Sequence, residues 1–438
     1  MLNYHADITK VFKLSNYPLP VEKVIVFEPY HTDINLFLAT VIGDKKYAKR
    51  LLGPYQDYTF NGSGVGTTEQ EAILRALGEY TERFIGMYYQ LVARDKMIFA
   101  TYKDLERMGF NALSPHNISL FHERQYKQKN FPYSRFSENS LIKWIAGRSL
   151  ITNEEVYVPA SFVFTPYIPE KKEHLISPSV TTGGAAHSNF VHAILNGIYE
   201  VIERDTARIY WYGNLRATKL KIDYSEIHDF IRFIKNGKDI EVVVTYMRND
   251  LNIPVFMTSI MLREDEGKSV VTGLSSNIDP VEGIKKSITE AFHTYLWRTL
   301  TRPNSKQQFK CQKLEDFTDH VIQYSDPKMY KYFIDFINND EELSLWSLIS
   351  DLSFHSFDSP KRHLNMLIEF LKNKVSDLIL VDITPKILKK INIHVVKVII
   401  PPLLSILAGH IQYLGDQRLY DLSGHSYEEL RHIPHPYP

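Results

Sequence analysis

The chain has 438 residues, 44% apolar and 23% charged, the composition of a globular protein long enough for one large core or two to three smaller ones. Lys plus Arg and Asp plus Glu stand at 51 each, so nothing favours a polyanion, and no nucleic acid partner is expected. A single cysteine, Cys311, excludes an intrachain disulfide framework, fits a reducing cytoplasmic compartment and is taken as a plain thiol.

The opening "MLNYHADITKVFKL" has no continuous apolar run and no small-residue cleavage site, so no signal peptide is expected. Residues 1–58 form an N-terminal region with strands expected at Glu22 to Pro29 and Asn35 to Gly43, both rich in β-branched and aromatic residues. "NGSGVGTTEQ" is expected to be a glycine-rich turn. It opens a helix from Thr68 to Gln90, capped by Thr67 or Thr68, with Glu69 and Glu71 in the dipole-favoured first turn. Over residues 91–176 short strands alternate with loops, and "EEVYVPASFVFTPY" is expected to be a strand pair. A second small-residue loop, "SPSVTTGGAAHSN", leads into a helix from Asn189 to Trp211.

Strands are expected at "DIEVVVTYM" and "IPVFMTSIML". "SVVTGLSSNIDP" then precedes a third helix, Val281 to Arg298. Residues 305–375 are expected to be mostly helical, and "DLILVDITP" and "VVKVIIPP" to be late core strands. The apolar stretch from Val395 to Gly409 is broken by Lys397 and by Pro401-Pro402 and is too short to span a bilayer, so no membrane partner is expected. No interdomain linker is visible. Residues 59–438 are therefore expected to form one large α+β domain with mixed sheets.

Two of the helices repeat one phrase. "AILRALGEYTER" begins at Ala72 and "AILNGIYEVIER" at Ala193; both read A-I-L-x-x-x-x-E-x-x-E-R. Glu290 of the third helix falls in the frame of Glu79 and Glu200, each seven residues after a small residue (Gly283, Ala72 and Ala193). His293 stands where the others carry Glu82 and Glu203. At i and i+3 the two acids share one helix face. In the first helix that face is flanked by Ala72, Ala76 and Gly78, which let something approach the backbone. A single E-x-x-E-R is ordinarily a solvated edge with Glu–Arg pairs worth a few tenths of a kcal/mol. A solvated edge has no reason to be copied, so three long helices are expected to converge on one site.

Converging carboxylates raise one another's pKa unless cations pair them. Hard divalent cations such as Mg²⁺ take oxygen ligands and leave room for phosphate oxygens, and glycine loops before helix N-termini suit anions. Yet the chain has no Walker A sequence, no kinase H-R-D or D-F-G, and no Rossmann fingerprint followed by an acid. The residues by themselves lead to a Mg-nucleotide site of an unusual kind.

Three segments carry a resemblance: "GVGTTEQEAILRALGEYTERF", "TTGGAAHSNFVHAILNGIYEVIERD" and "GLSSNIDPVEGIKKSITEAF". They resemble the three ATP-binding blocks of the YcaO family. The final "IPHPYP" is similar to the proline-rich terminus of the YcaO cyclodehydratases that form azolines in thiazole/oxazole-modified microcins. The resemblance implies a YcaO-type fold and ATP with Mg²⁺ as cofactors. It implies heterocyclisation, in which a Cys, Ser or Thr side chain attacks the preceding backbone amide. ATP phosphorylates the hemiorthoamide oxygen, and phosphate leaves. By position it makes Glu79, Glu82, Glu200 and Glu203 ligands of Mg²⁺ and the nucleotide. Ser188, Arg204 and Glu290 become nucleotide-binding residues, and His187, Pro436 and Pro438 catalytic ones. It further implies a precursor-peptide substrate, a separate leader-binding, E1-like partner protein and a flavin dehydrogenase acting on the product. A homodimer is compatible with it.

The match is not uniform. Val65 stands where the family often has Lys, His192 where an acid is common, and His293 and Tyr295 where Gln and Arg often follow; Pro402 replaces a glycine. Two other readings therefore stand beside cyclodehydration: ATP-dependent thioamide formation, and a degenerate YcaO scaffold that only binds. Arg83 and Arg204 are expected to pair with the neighbouring acids, and "HIPHPYP" taken alone could be a frayed tail or a polyproline ligand.

Overall fold

The computed structural model describes residues 10–12, 17–52, 60–264, 267–301, 314, 317–338, 341–352 and 357–438. Cys311, the first nine residues and part of the expected helical segment 305–375 lie outside them. Four antiparallel strands form the first sheet in sequence order: β1 (Lys10–Phe12), β2 (Val21–Phe27), β3 (Phe37–Gly43) and β4 (Asn61–Gly66). The glycine segment expected to be a turn is thus a strand, paired with β3 from Phe37↔Gly66 to Ile42↔Asn61. The long helix α1 (Glu69–Val92) supplies the reason. It lies so close to β4 that a Cβ on Gly62 would come 2.3 Å from Ala76 O, one on Gly64 2.5 Å from Ala76 N, and one on Gly66 2.8 Å from Ala72 N. Glycine inside a strand commonly marks such an approach. Ala72 and Ala76 are the helix's share of it, both fully buried. Thr68 caps α1 by accepting from Glu71 N. β3 and β4, which come before and after position 58 in the sequence, hydrogen-bond in one sheet.

A six-stranded sheet runs in the order β5 (Ile98–Ala100), β6 (Ile142–Ser149), β14 (Ile379–Asp382), β15 (His394–Ile399), β8 (Gly184–His187), with β7 (Glu155–Pro159) on the other side of β6. Here the expected pair within "EEVYVPASFVFTPY" is corrected. Only its first half is a strand; its partner is β6, and Ala160–Phe162 is a 3-10 turn. β8 leads through the Asn189 cap into helix α2 (Phe190–Tyr212), which is buried along most of its length, Glu203, Asp205 and Arg208 included.

The third sheet has the order β12 (Gly267–Ser276), β11 (Val255–Glu264), β10 (Glu241–Met247), β9 (Thr218–Lys221), β13 (Glu342–Ser344), with only β13–β9 parallel. β12 continues into helix α3 (Pro280–Thr301). A Cβ on Gly273 would come 2.1 Å from Ala291 N, so α3 is seated on a strand glycine as α1 is. The architecture is α+β with mixed sheets, built on three strand–turn–helix units. No helix among the described residues is long and apolar enough to cross a membrane.

Candidate active site

β4 is the last strand of its sheet, and α1 supplies what a fifth strand would. Arg83 Nη1 donates to Asn61 O at 3.2 Å, Ser63 N donates to Glu79 Oε2 at 2.5 Å, and Arg75 Nη1 donates to Val65 O at 2.9 Å. The registers match because two strand residues advance about 6.7 Å and four helix residues about 6.0 Å. Glu79 also pairs with Arg83 at 2.5 Å. Both oxygens of Glu79 therefore have partners within its own unit.

Glu82 and Glu200 meet at a glycine pair. Gly183, at φ +82°, donates its N–H to Glu200 Oε2 at 3.1 Å; a Cβ there would lie 2.2 Å from Val398 O. A Cβ on Gly184 would lie 3.0 Å from Glu82 Oε1. The small-residue segment is therefore a seat for two carboxylates from two helices, not a loop of bare N–H groups. Lys397, on β15, pairs in register with Gly184 and is only 3% exposed. Its Nζ donates to Val180 O at 2.5 Å and Thr181 O at 3.0 Å. Glu82, Thr181, Gly184 and Lys397 are among the residues lining a cleft of ≈ 20 Å³, room for about one water.

α3 joins through His293, whose Nε2 lies 2.8 Å from Ser63 Oγ, and through Glu290, 3.7 Å from the same imidazole. The electrostatics tie the acids together. Burial, then Glu200 and Glu79, push the Glu82 carboxyl up to about 8 against Arg83 and Lys397. Burial raises Glu200 despite Arg204, Lys397, the Gly183 N–H and Lys286. Burial also takes Glu203 up to about 7, with Arg204 and Lys286 opposing and Glu200 and Glu290 adding to the rise. Glu290 differs. Burial pushes it up, but His293, Lys286 and Arg75 outweigh it and hold it at about 2.

The last residues thread the core toward this site. Trp211 Nε1 donates to Ile433 O at 2.7 Å, Tyr324 OH to Pro434 O at 2.7 Å, and Thr272 Oγ1 to Pro436 O at 2.8 Å. Arg204 Nη1 reaches Pro438 O at 2.9 Å while its Nε lies 3.4 Å from Glu203 Oε1. His435 and Tyr437 are fully buried, and the His435 ring stacks on His320 with centroids 3.8 Å apart. The segment is neither frayed nor an exposed polyproline ligand. In the β8–α2 turn Ser188 is exposed. His187 Nδ1 accepts from Asn189 N at 2.8 Å, which leaves the proton of a neutral ring on Nε2.

Asp205, next to Arg204 in sequence, belongs to another structure. It pairs with Arg208 and Arg418, and Arg208 with Asp416, in a buried ion network that fixes residues 404–418 against α2. Sequence reasoning missed Ser63, Lys397 and the role of Gly183 and Gly184. The one available signal was a lysine inside an otherwise apolar strand.

A family model described as "YcaO cyclodehydratase, ATP-ad Mg2+-binding" matches residues 63–404. The chain belongs to the YcaO family. An uncharacterised protein of Methanothermobacter thermautotrophicus is 25% identical over 287 residues, covering 60% of this chain and 66% of that one. In fold the chain is similar to a heterocyclase in complex with substrate and cofactor, at TM-score 0.73 and 18% identity. That match covers 98% of this chain and 54% of the other, so the chain spans about half of that protein's length. It is also similar to YcaO from Methanopyrus kandleri bound with AMPPCP and Mg²⁺, at TM-score 0.59 and 18% identity, over 87% and 85% of the two chains. A third similar structure is the E. coli microcin synthetase McbBCD complex, at TM-score 0.58 and 12% identity, over 90% of each chain.

ATP and Mg²⁺ are the ligands of this YcaO domain, and the residues present fit them. Three carboxyls are raised by burial, and Glu82 and Glu203 also by the charge of Glu200, so the cluster is short of positive charge. Among the described residues no three His, Cys, Asp or Glu side chains form a metal cage. Mg²⁺ asks for only one or two carboxylates where phosphates supply other oxygens.

Proposed function

We propose that the chain is the ATP-dependent cyclodehydratase component of a peptide-modifying complex. It closes Cys, Ser or Thr side chains of a ribosomally made precursor peptide onto the preceding backbone amide, giving thiazoline or oxazoline. The observation that carries the reading is the meeting of Glu82 and Glu200 at Gly183–Gly184, with the proline-rich tail ending on Arg204 beside Glu203.

When bound, ATP supplies the phosphoryl group that makes the amide oxygen a leaving group. Glu82 and Glu200, set together at the glycine pair, would hold Mg²⁺ alongside the phosphates, while Glu203 and Glu290, the latter held ionised beside His293, complete the acidic wall. Glu79 and Arg83 fix α1 to the β4 edge, so that Glu79 acts on the metal site through position and charge. His187 offers an Nε2 proton beside the exposed Ser188, where a phosphate oxygen can accept it. Arg204 couples the tail to Glu203, and Thr272 holds Pro436. A leader-binding, E1-like partner delivers the peptide, and a flavin dehydrogenase oxidises the product.

Calorimetric titration of Mg-ATP, with Glu203→Gln as control, tests the site, and product mass with a candidate peptide and partner tests the reaction. Loss of water supports cyclodehydration, and exchange of oxygen for sulfur replaces it with thioamidation. Folded protein that binds Mg-ATP neither alone nor with partner would make it a scaffold.

A further inference from the structure

We propose that Lys397 is a positioning residue of the carboxylate site: a cation fixed by two backbone carbonyls, against which Glu82 and Glu200 are set before any metal binds. This rests on the reading of those acids as the Mg-nucleotide site.

β15 could have been wholly apolar, since Val395, Val396, Val398 and Ile399 are all buried. Lysine is almost never fully buried without a partner, and its charge is costly in a core. Val395 and Ile399, two residues either side, pack in the cluster that contains α1, so Lys397 shares the face turned to α1. There it lines one cleft with Glu82, opposite Gly184, which seats Glu82 Oε1. Gly183, bonded to Glu200, gives its carbonyl to the N–H of Val398, the next residue of the same strand.

The ammonium has three donors, and Val180 O and Thr181 O take two of them. These bonds are to carbonyls, so they fix the charge without pairing either acid directly. A charge held beside two carboxylates, yet not clamped to them, orients both and leaves their oxygens available. Burial and the two acids act on Lys397 in opposite directions, and the acids feel it in turn. The bland alternative is that Lys397 merely pins the Val180–Thr181 segment.

The test compares wild type with Lys397→Met, which keeps the stem and removes the charge and donors, and with Lys397→Arg. Thermal melting is followed with and without MgCl₂ alone, and Mg-ATP affinity by calorimetry. Lys397→Met should melt lower than wild type without metal. Mg²⁺ alone should raise its melting temperature by more than it raises the wild type's, because the metal supplies the missing charge. Mg-ATP affinity should fall roughly tenfold at fixed Mg²⁺ and recover in excess Mg²⁺, and Lys397→Arg should retain part of it. Wild-type Mg²⁺ response together with wild-type Mg-ATP affinity in Lys397→Met would overturn the inference. If Lys397→Met folds poorly, Lys397→Met/Glu200→Gln should fold better than it does, since the uncompensated acid is gone. Strictly additive effects in that cycle would overturn the inference without any nucleotide. Absence of Mg-ATP binding by folded wild type would instead remove the functional reading, while the cycle still decides the role of Lys397.

Discussion

Arg204 stands between Pro438 O, at 2.9 Å from its Nη1, and Glu203 Oε1, at 3.4 Å from its Nε. A planar guanidinium bridges two oxygens in this way; a lysine ammonium does not do so with the same geometry. Arg204→Lys should therefore cut cyclisation about tenfold or more, a barrier change of about 1.4 kcal/mol. The melting temperature should move only a few degrees. Unchanged turnover would separate the tail from catalysis.

Deleting Pro434 to Pro438 is a harsher change. The resemblance makes Pro436 and Pro438 catalytic and puts the nucleotide ligands elsewhere, so activity should be cut with little loss of nucleotide binding. The burial of His435 and Tyr437 adds a stability loss, and losing one large buried aromatic side chain costs about 3–5 kcal/mol. Melting curves and calorimetry on the truncated protein should show a lower melting temperature, with Mg-ATP still bound below it. A truncated protein with unchanged stability and cyclisation would make the tail dispensable.

Glu82→Gln and Glu203→Gln should abolish ATP consumption and raise the stability of the metal-free protein. Each removes an acid that burial already disfavours in its charged form. Such opposed changes mark a functional site and not a structural pair. ATP turnover and metal-free melting temperature, measured on the same preparations, check both signs.

The same shifts fix a pH dependence. Glu82 at about 8 and Glu203 at about 7 lie above the unfolded carboxyl range, so between about pH 4.5 and 8 the native state binds more protons than the unfolded chain. The contribution of these two acids to metal-free stability should therefore fall as pH rises through that window. Mg-ATP affinity should rise over its upper part, since the metal needs the ionised acids. Glu290, held at about 2, has the opposite sign: its stabilisation is present above the unfolded carboxyl pKa and is lost as pH falls toward 2. Denaturant melts at several pH values, with Glu82→Gln/Glu203→Gln as reference, isolate the first effect.

How much of this was legible in the sequence follows from how local each signal is. α1, α2 and α3 were, because caps and apolar periodicity are local; Thr68 caps α1 as expected, and Asn189, expected as the first residue of α2, is its cap. The glycines of β4 were not. Their local preference is for turns, but here the approach of Ala72 and Ala76 decides, and that is a tertiary fact. Gly183 and Gly184 were seen as a phosphate loop for the same reason. Lys397 looked like a break in an apolar run, because its partners lie on α1, α2 and the segment before β8, far away in sequence. The repeated E-x-x-E-R proved to mix two duties: Glu79 and Arg83 close a strand edge, while Glu82 faces the glycine seat.

That division gives a last prediction. Ser63 N loses its acceptor in Glu79→Ala, and an orphaned backbone N–H costs about 1–3 kcal/mol if it stays dry. Glu79→Gln keeps an acceptor and loses only a part-exposed pair with Arg83, worth about 0–1 kcal/mol. The Ala variant should melt lower than the Gln variant. Glu79→Gln should retain measurable Mg-ATP binding where Glu82→Gln retains none. If Glu79→Gln abolishes binding as completely as Glu82→Gln does, Glu79 is a direct ligand of the metal. Its bonds to Ser63 and Arg83 would then have to open when the metal binds, and amide exchange at Ser63 should quicken on adding Mg-ATP.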